Sequence, residues 1–194
     1  AKLISDIAKK QNSILTKNVK DIAVYIGVPY CPSRCLYCSF PAGIMPADDE
    51  FQQNFCNSVE DDIRAVVQLV SMYGLRIKSL YIGGGTPTSL KDAFFQKLMN
   101  IVSNNFSIDL IDEFTVEAGS PDCLNAEKLR AMEEAGVNRI SINPQTMHDR
   151  TLVTIGRRHT VQQIYDAFTA IRKSRISVVN MDLIVGLPQE GIKD

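Results

Sequence analysis

The sequence predicts an α/β protein built around a parallel β-sheet. Short apolar stretches alternate five times with longer amphipathic stretches, the pattern of repeated strand–helix units. Several of the short stretches are apolar on both faces, as strands covered by helices require. Each is followed by a polar or glycine-rich motif, and parallel α/β sheets place their functional sites at that edge. Doubly wound sheets and barrels share this pattern, so the pattern does not choose between them.

The predicted strands are short and bounded by turn residues. They are Ile22–Val28, Ile77–Gly83, Glu113–Gly119, Val137–Asn143 and Ile176–Gly186. Helical spacing of apolar residues, at intervals of three and four, fills the segments between them. The first helix is predicted to begin after Asp48 and Asp49 and to end at Gly74. The later helices are predicted over Ser89–Val102, Asn125–Gly136 and Thr160–Ser174, with Ser89 and Thr160 as N-caps.

The composition is that of a soluble globular core. The chain has 194 residues, of which 45% are hydrophobic and 22% charged, and its net charge is −1. The near-neutral charge and the absence of a Lys/Arg-rich block argue against nucleic-acid binding. No run of 18 apolar residues predicts a membrane span, and the start has no apolar core like that of a signal peptide, so we expect a cytoplasmic protein.

We expect residues 1–20 to be a linker or the tail of an upstream region. Residues 21–194 are predicted to form one core domain, truncated at its C-terminus, because another helix is expected soon after the last strand.

Three of the five cysteines lie within eight residues, in the spacing C-x3-C-x2-C. They are Cys31, Cys35 and Cys38. An odd number of cysteines without an export signal argues against a disulfide framework. A closed structural zinc site needs four ligands, and no nearby Cys or His supplies the fourth. A four-iron four-sulfur cluster with one open iron fits best, with a catalytic zinc site or free thiols as alternatives. Cys56 and Cys123 are isolated and are predicted to be small, partly buried thiols in helical stretches.

Five motifs taken together resemble those of the radical S-adenosylmethionine (SAM) enzymes. They read YIGVPYCPSRCLYCSF, YIGGGTPT, FTVEAGSPD, RISINPQT and MDLIVGLP, and the resemblance runs from about Val24 to Gln189. More narrowly, the motifs are similar to those of the oxygen-independent coproporphyrinogen III oxidase group, and closest to its coproporphyrinogen dehydrogenase branch from Gram-positive bacteria. The resemblance implies a partial (β/α)6 barrel, with about five units present here. It also implies two cofactors, a four-iron four-sulfur cluster and SAM, which together generate a hydrogen-abstracting 5′-deoxyadenosyl radical.

The resemblance also assigns site residues one by one. The implied cluster ligands are Cys31, Cys35 and Cys38, and the implied cofactor contacts are Tyr25, Tyr37, Gly84, Gly85, Thr86, Glu117, Gln145, Arg157 and Asp182. From the residues alone, Tyr25 fits a core tyrosine equally well, and a carboxylate within a strand fits a buried ion pair. We expect His148 and His159 to have capping or surface roles and Arg158 to be a surface charge.

The resemblance implies an oxidoreductase of oxygen-independent haem biosynthesis that decarboxylates coproporphyrinogen III to protoporphyrinogen IX. Its implied partners are the tetrapyrrole substrate and a small electron-donor protein of the flavodoxin or ferredoxin type. Two residues after the third thiol stands Phe40, where the better-known oxidase branch has Cys and the haem-chaperone branch has Phe. Two alternatives therefore stay open, a haem-binding chaperone without decarboxylase activity and a radical enzyme that acts on another tetrapyrrole.

Overall fold

The computed structural model describes residues 20–191 and shows a parallel sheet wound in one direction. Within this range the five main strands are β1 (Asp21–Val28), β4 (Arg76–Gly84), β5 (Glu113–Gly119), β6 (Arg139–Gln145) and β7 (Val178–Leu183). They lie in the order β1-β4-β5-β6-β7, and every neighbouring pair is parallel. Two short strands, β2 (Tyr30–Cys31) and β3 (Gly43–Ile44), pair beside the sheet. Because the strand order never reverses, as it does in a doubly wound sheet, the winding is that of a partial barrel.

The helices begin and end largely where local sequence signals place them. They are α1 (Asp49–Tyr73), α2 (Asp92–Asn105), α3 (Ala126–Glu134), α4 (Asp149–Thr154) and α5 (Val161–Lys173). The Asp48 carboxylate caps α1 by accepting from the backbone N–H of Phe51 at 3.0 Å. Thr160 and Gln163 form a capping box at the start of α5.

The prediction that Ser89 caps the second helix is wrong. Pro87–Ser89 form a 3-10 turn, and the backbone N–H of Ser89 donates to the carbonyl of Thr86 at 2.8 Å. The helix therefore starts only at Asp92, after Lys91, which makes no side-chain cap. Proline fixes the backbone of this turn and so delays the helix.

All four long helices pack on one face of the sheet. Alternate strand residues such as Ile26, Leu80 and Val116 join the helices in one apolar core. The residues between them face the other side and include Tyr25, which is 59% exposed. Among the described residues helices cover only one face of the sheet, so the expectation of strands covered by helices on both faces is wrong.

The shortest elements escaped prediction. Strands β2 and β3 have two residues each and α4 has six, too few for a periodic signal. The predicted linker over residues 1–20 lies outside the described residues, apart from Lys20. Over the part of the chain that the structure describes, no helix is both long enough and apolar enough to cross a membrane.

Candidate cofactor site at the carboxyl edge of the sheet

A cavity of about 200 Å³ opens at the carboxyl edge of the sheet, where the loops after several strands meet. Ten of the predicted site residues line it: Cys31, Cys35, Tyr37, Cys38, Gly84, Gly85, Thr86, Glu117, Gln145 and Arg157. These residues are spread over more than 120 positions of the chain, from Cys31 to Arg157. The parallel sheet brings them together because each strand ends at this edge.

The three clustered thiols face the cavity and are all free. Their loop is closed at its base by the β2–β3 pair and is tied down in its middle, where the backbone N–H of Leu36 donates to the carbonyl of Ile155 at 3.0 Å. Burial raises the pKa of the Cys31 thiol, although the hydroxyl of Thr86 donates to its sulfur at 3.6 Å and the positive charge of Arg157 lies nearby. The loop therefore presents partly buried thiols close to a cation.

The chemistry of the three thiols fits an iron–sulfur cluster. Across residues 20–191, no three side chains of His, Cys, Asp or Glu converge as they would around one metal ion. In a four-iron four-sulfur cluster each thiolate binds a different iron, so the sulfurs stand apart around a shared space. The three cysteines line a common cavity.

Two glycines let the turn after β4 approach the cysteine loop closely. Gly84 has a φ of +120°, and a Cβ there would stand 2.9 Å from the carbonyl oxygen of Val28. A Cβ on Gly85 would stand 2.5 Å from the carbonyl oxygen of Tyr30 and 2.8 Å from the sulfur of Cys31. Glycine is therefore required at both positions for this packing of the turn against the first cysteine.

A cation and an aromatic ring form one wall of the cavity. The guanidinium of Arg157 donates to the hydroxyl of Tyr37 from two nitrogens, at 3.0 and 3.3 Å. Burial raises the pKa of Tyr37, and the charge of Arg157 partly opposes this effect. The wall can therefore offer an anionic group a charged, planar donor beside a neutral phenol.

The ends of β5 and β6 contribute a carboxylate and an amide. Glu117 accepts from the hydroxyl of Tyr81 at 2.5 Å and from the backbone N–H of Gly84 at 3.1 Å. Gln145 is buried and has a φ of 69°, in the left-handed region that non-glycine residues rarely adopt. The backbone carbonyl of Gln145 accepts from the backbone N–H of Ile184 at 2.9 Å. Strain of this kind is typical of functional sites.

Two predicted contacts do not line the cavity. Tyr25 lies on the helix-free face of the sheet, where its ring stacks on Tyr81 with 5.7 Å between ring centroids. The alternative interpretation of Tyr25 as a core tyrosine is wrong, because the ring is largely exposed. Asp182 is exposed on β7 and accepts from the side chain of Asn180 at 2.9 Å, so the alternative interpretation of Asp182 as a member of a buried ion pair is also wrong.

The structure also corrects the interpretation of His159. It is only 2% exposed, and its Nδ1 lies 3.1 Å from the hydroxyl of Ser120, while its Nε2 lies 3.4 Å from the carbonyl oxygen of Pro144. Burial, together with the nearby Arg157, lowers its pKa. A capping or surface role is therefore wrong for this histidine, because it supports the wall of the cavity from behind.

Several cavity residues were not among the predicted contacts. They are Pro32, Ser33, Gly119, Ser120, Asn143 and Arg158. Ser120 and Asn143 belong to the turn motifs after the third and fourth predicted strands, so their position was a usable signal. Arg158 is exposed, as expected, and also borders the cavity.

A parallel sheet whose strand order never reverses, with three thiols and a glycine turn at its carboxyl edge, is the arrangement of an iron–sulfur α/β protein. Residues 25–194 match the radical SAM superfamily, and the chain belongs to this superfamily. The cofactors of the superfamily are a four-iron four-sulfur cluster and SAM, which confirms the prediction of both.

Individual relatives narrow the comparison. The chain is 36% identical over 178 residues to the oxygen-independent coproporphyrinogen-III oxidase-like protein HemZ of Bacillus subtilis, covering 91% of this chain and 36% of HemZ. It is also 36% identical over 176 residues to the haem chaperone HemW of Bacillus subtilis, covering 88% of this chain and 44% of HemW. The predicted resemblance to the coproporphyrinogen III oxidase group is confirmed at this level. The chain spans less than half the length of these relatives.

A solved structure shares the fold. Coproporphyrinogen III oxidase (HemN) of Escherichia coli superposes with a TM-score of 0.75 at 24% identity, over 88% of this chain and 38% of that protein. The match confirms the predicted barrel-type α/β fold.

Proposed function

We propose that the protein catalyses radical SAM-dependent oxidative decarboxylation of coproporphyrinogen III to protoporphyrinogen IX. The observation that carries the chemistry is a single cavity that joins three free thiols to the glycine turn, Glu117 and Arg157. The substrate is inferred from the similarity to HemZ, which is named as oxidase-like.

In this proposal the thiolates of Cys31, Cys35 and Cys38 would hold the cluster. When bound, the cluster and SAM together supply the radical that removes a hydrogen atom from the substrate. The cysteine loop contributes a partly buried, fixed position for that chemistry, because its base and its middle are both held by backbone hydrogen bonds. A partly enclosed site also limits access of water to reactive species.

The remaining cavity residues would orient SAM. The backbone of Gly84 and Gly85 can approach the methionine amino group closely, because neither residue has a Cβ. Arg157 would pair with the methionine carboxylate, for which its planar guanidinium is suited. Glu117 and Gln145 would bind hydroxyl or amino groups of the cofactor. Orientation of this kind, which aims the reactive carbon at a propionate side chain, is a large part of catalysis.

The overall reaction also sets requirements outside the cavity. Conversion of each propionate to a vinyl group removes one hydrogen atom, one carbon dioxide and one electron, so an electron acceptor is needed. An electron must also reach the cluster, and we propose a small flavodoxin- or ferredoxin-type donor for this step. We place the protein in the cytoplasm, where such donors occur.

A haem chaperone is the second candidate function. The 36% identity to HemW of Bacillus subtilis and the presence of Phe40 in place of a further cysteine both favour it. In this case the cavity would bind the same cofactors, and the protein would bind haem as cargo instead of converting coproporphyrinogen III.

The two candidates separate in one experiment. The full-length protein, reconstituted anaerobically with iron and sulfide, is incubated with SAM, a reductant, an electron acceptor and coproporphyrinogen III. We expect protoporphyrinogen IX and carbon dioxide to form, and neither to form with a Cys35→Ala variant. Stoichiometric haem binding by the same preparation, without carbon dioxide release, would instead support the chaperone.

A further inference from the structure

We propose that Tyr81 is a positioning residue that acts on the cofactor through Glu117. Its hydroxyl and the backbone N–H of Gly84 hold the two carboxylate oxygens, at 2.5 and 3.1 Å, so that the carboxylate faces the cavity in one orientation. The inference rests on the proposed function, because it requires Glu117 to contact SAM.

The contacts around Glu117 distinguish the roles of two residues: Glu117 can touch the ligand, and Tyr81 touches Glu117 instead. Glu117 lines the cavity, whereas Tyr81 lies outside its lining and touches the carboxylate from the helix-free face of the sheet. One oxygen of Glu117 accepts from Tyr81 and the other from Gly84, so rotation of the carboxylate would break both hydrogen bonds. A carboxylate held by two donors still has lone pairs with which it can accept from a ligand.

The sequence repeats the three residues Tyr-Ile-Gly on two neighbouring strands, and the repeat explains how the hydroxyl reaches Glu117. Tyr25 and Gly27 on β1 pair in register with Tyr81 and Gly83 on β4. A Cβ on Gly83 would stand 2.5 Å from Cε1 of Tyr81 and 3.0 Å from the carboxylate of Glu117. A Cβ on Gly27 would stand 3.5 Å from Cε1 of Tyr25, an ordinary contact. Glycine is therefore needed at position 83 for the Tyr81 ring to take its place, whereas position 27 imposes no such requirement on the Tyr25 ring.

The electrostatic surroundings keep Tyr81 as a donor. Burial raises its pKa, and the hydrogen bond to Glu117 and the nearby charges of Glu117 and Asp182 raise it further. The stacked ring of Tyr25 holds the plane of Tyr81 from the other side, with an angle of 14° between the rings. The phenol therefore stays protonated and correctly turned to donate to Glu117 across the neutral pH range.

A double-mutant cycle on the reconstituted full-length protein tests the inference. Tyr81→Phe keeps the ring and removes only the hydroxyl. The dissociation constant for SAM is measured by equilibrium dialysis, and iron is counted in the same samples. We expect Tyr81→Phe to weaken SAM binding on the order of tenfold and to leave the iron content unchanged. In a Glu117→Ala background the same change should have almost no effect, because the group through which it acts is gone.

A matched pair of glycine variants tests the geometry. Gly83→Ala should displace both the Tyr81 ring and the Glu117 carboxylate, and so weaken SAM binding at least as much as Tyr81→Phe, again on the order of tenfold. Gly27→Ala, the same change at the register-paired position, should leave affinity close to that of the parent. Denaturant midpoints of both variants show whether each is folded.

The outcomes separate the inference from the function beneath it. Parent-like affinity in Tyr81→Phe, together with a clear loss in Glu117→Ala, overturns the role of Tyr81 alone. An equal loss on removal of the hydroxyl in both backgrounds also overturns it, since a merely structural residue would act regardless of Glu117. Parent-like affinity in Glu117→Ala overturns both the inference and the assignment of Glu117 as a cofactor contact.

Discussion

Arg157 illustrates how a residue that is uninformative in isolation gains meaning from the fold. In the sequence it is one of two adjacent arginines, and in the structure its guanidinium contacts Tyr37, whereas its neighbour Arg158 is exposed. The segment that carries it is tied to the cysteine loop by the hydrogen bond between Leu36 and Ile155. Its position beside the thiols therefore follows from tertiary contacts that only the resemblance to a family could anticipate.

Replacement of Arg157 by lysine keeps the charge and removes the planar fork. We expect Arg157→Lys to lose a charge-assisted contact of about 1.5–3 kcal/mol, and so to weaken SAM binding roughly 10- to 150-fold. Iron content should not change, because Arg157 is not a ligand. Arg172→Lys, at an exposed position on α5, is the control. Unchanged SAM affinity in Arg157→Lys would remove this residue from the site.

His159 predicts a pH dependence of stability. Its pKa in the folded protein is lowered, so the unfolded chain binds the proton more tightly. Stability should therefore be fully present above about pH 6.5 and fall as the pH drops below that value towards the folded pKa. In His159→Gln, which keeps a donor for the carbonyl of Pro144, this part of the pH dependence should disappear. Urea unfolding of both proteins at about pH 7 and about pH 5 measures this pH dependence. If the free energy of unfolding falls equally in both proteins between the two pH values, the assignment to His159 is contradicted.

At the scale of elements, the sequence was most informative where periodicity and caps agree. All five strands of the main sheet and all four long helices were predicted, because each has enough residues for a clear apolar pattern. The predicted ends of the strands and helices were less accurate. The fourth strand was predicted as Val137–Asn143, whereas β6 runs over Arg139–Gln145. Its last residue lies in the left-handed region, a conformation that no propensity for glutamine signals.

The end of β6 allows a test of that strain. In an ordinary strand alanine is more stable than glycine, but at a positive φ the order reverses. We therefore expect Gln145→Gly to exceed Gln145→Ala in free energy of unfolding by about 1 kcal/mol. Both variants should bind SAM more weakly than the parent, because both lack the amide. Denaturant unfolding gives the comparison, and a more stable alanine variant would mean that the backbone is relaxed there.

Strand β7 forms one edge of the sheet and carries exposed apolar side chains. Leu183 is 64% exposed, and an apolar edge strand is a template for pairing with another chain. We expect Leu183→Lys to reduce self-association of the 194-residue chain, measured by sedimentation velocity. Leu110→Lys replaces a leucine of similar exposure, 72%, on a 3-10 turn away from this edge, and should have little effect. Equal changes in both variants would point to general solubility rather than to the edge.

At the scale of the whole molecule, the candidate site forms because the loops after several strands meet at one edge of the sheet. The sequence predicted that edge correctly, because every strand is followed there by an unusual motif. It could not predict which side chains of that edge line the cavity. Tyr25 and Asp182 lie on strands that reach the site, yet the structure places both outside the cavity lining, on the helix-free side of the sheet. Both share that face with Glu117, which does line the cavity, so a family motif fixes the strand and the face but not how far along the strand the cavity extends.

The central claim is that the three clustered cysteines and the strand ends around them form one site for an iron–sulfur cluster and SAM. The most direct test counts iron, sulfide and bound SAM in the same samples of anaerobically reconstituted protein. We predict that the parent and Cys123→Ala bind both the cluster and SAM, and that Cys35→Ala loses both. A full complement of iron and SAM in Cys35→Ala would contradict this account of the site.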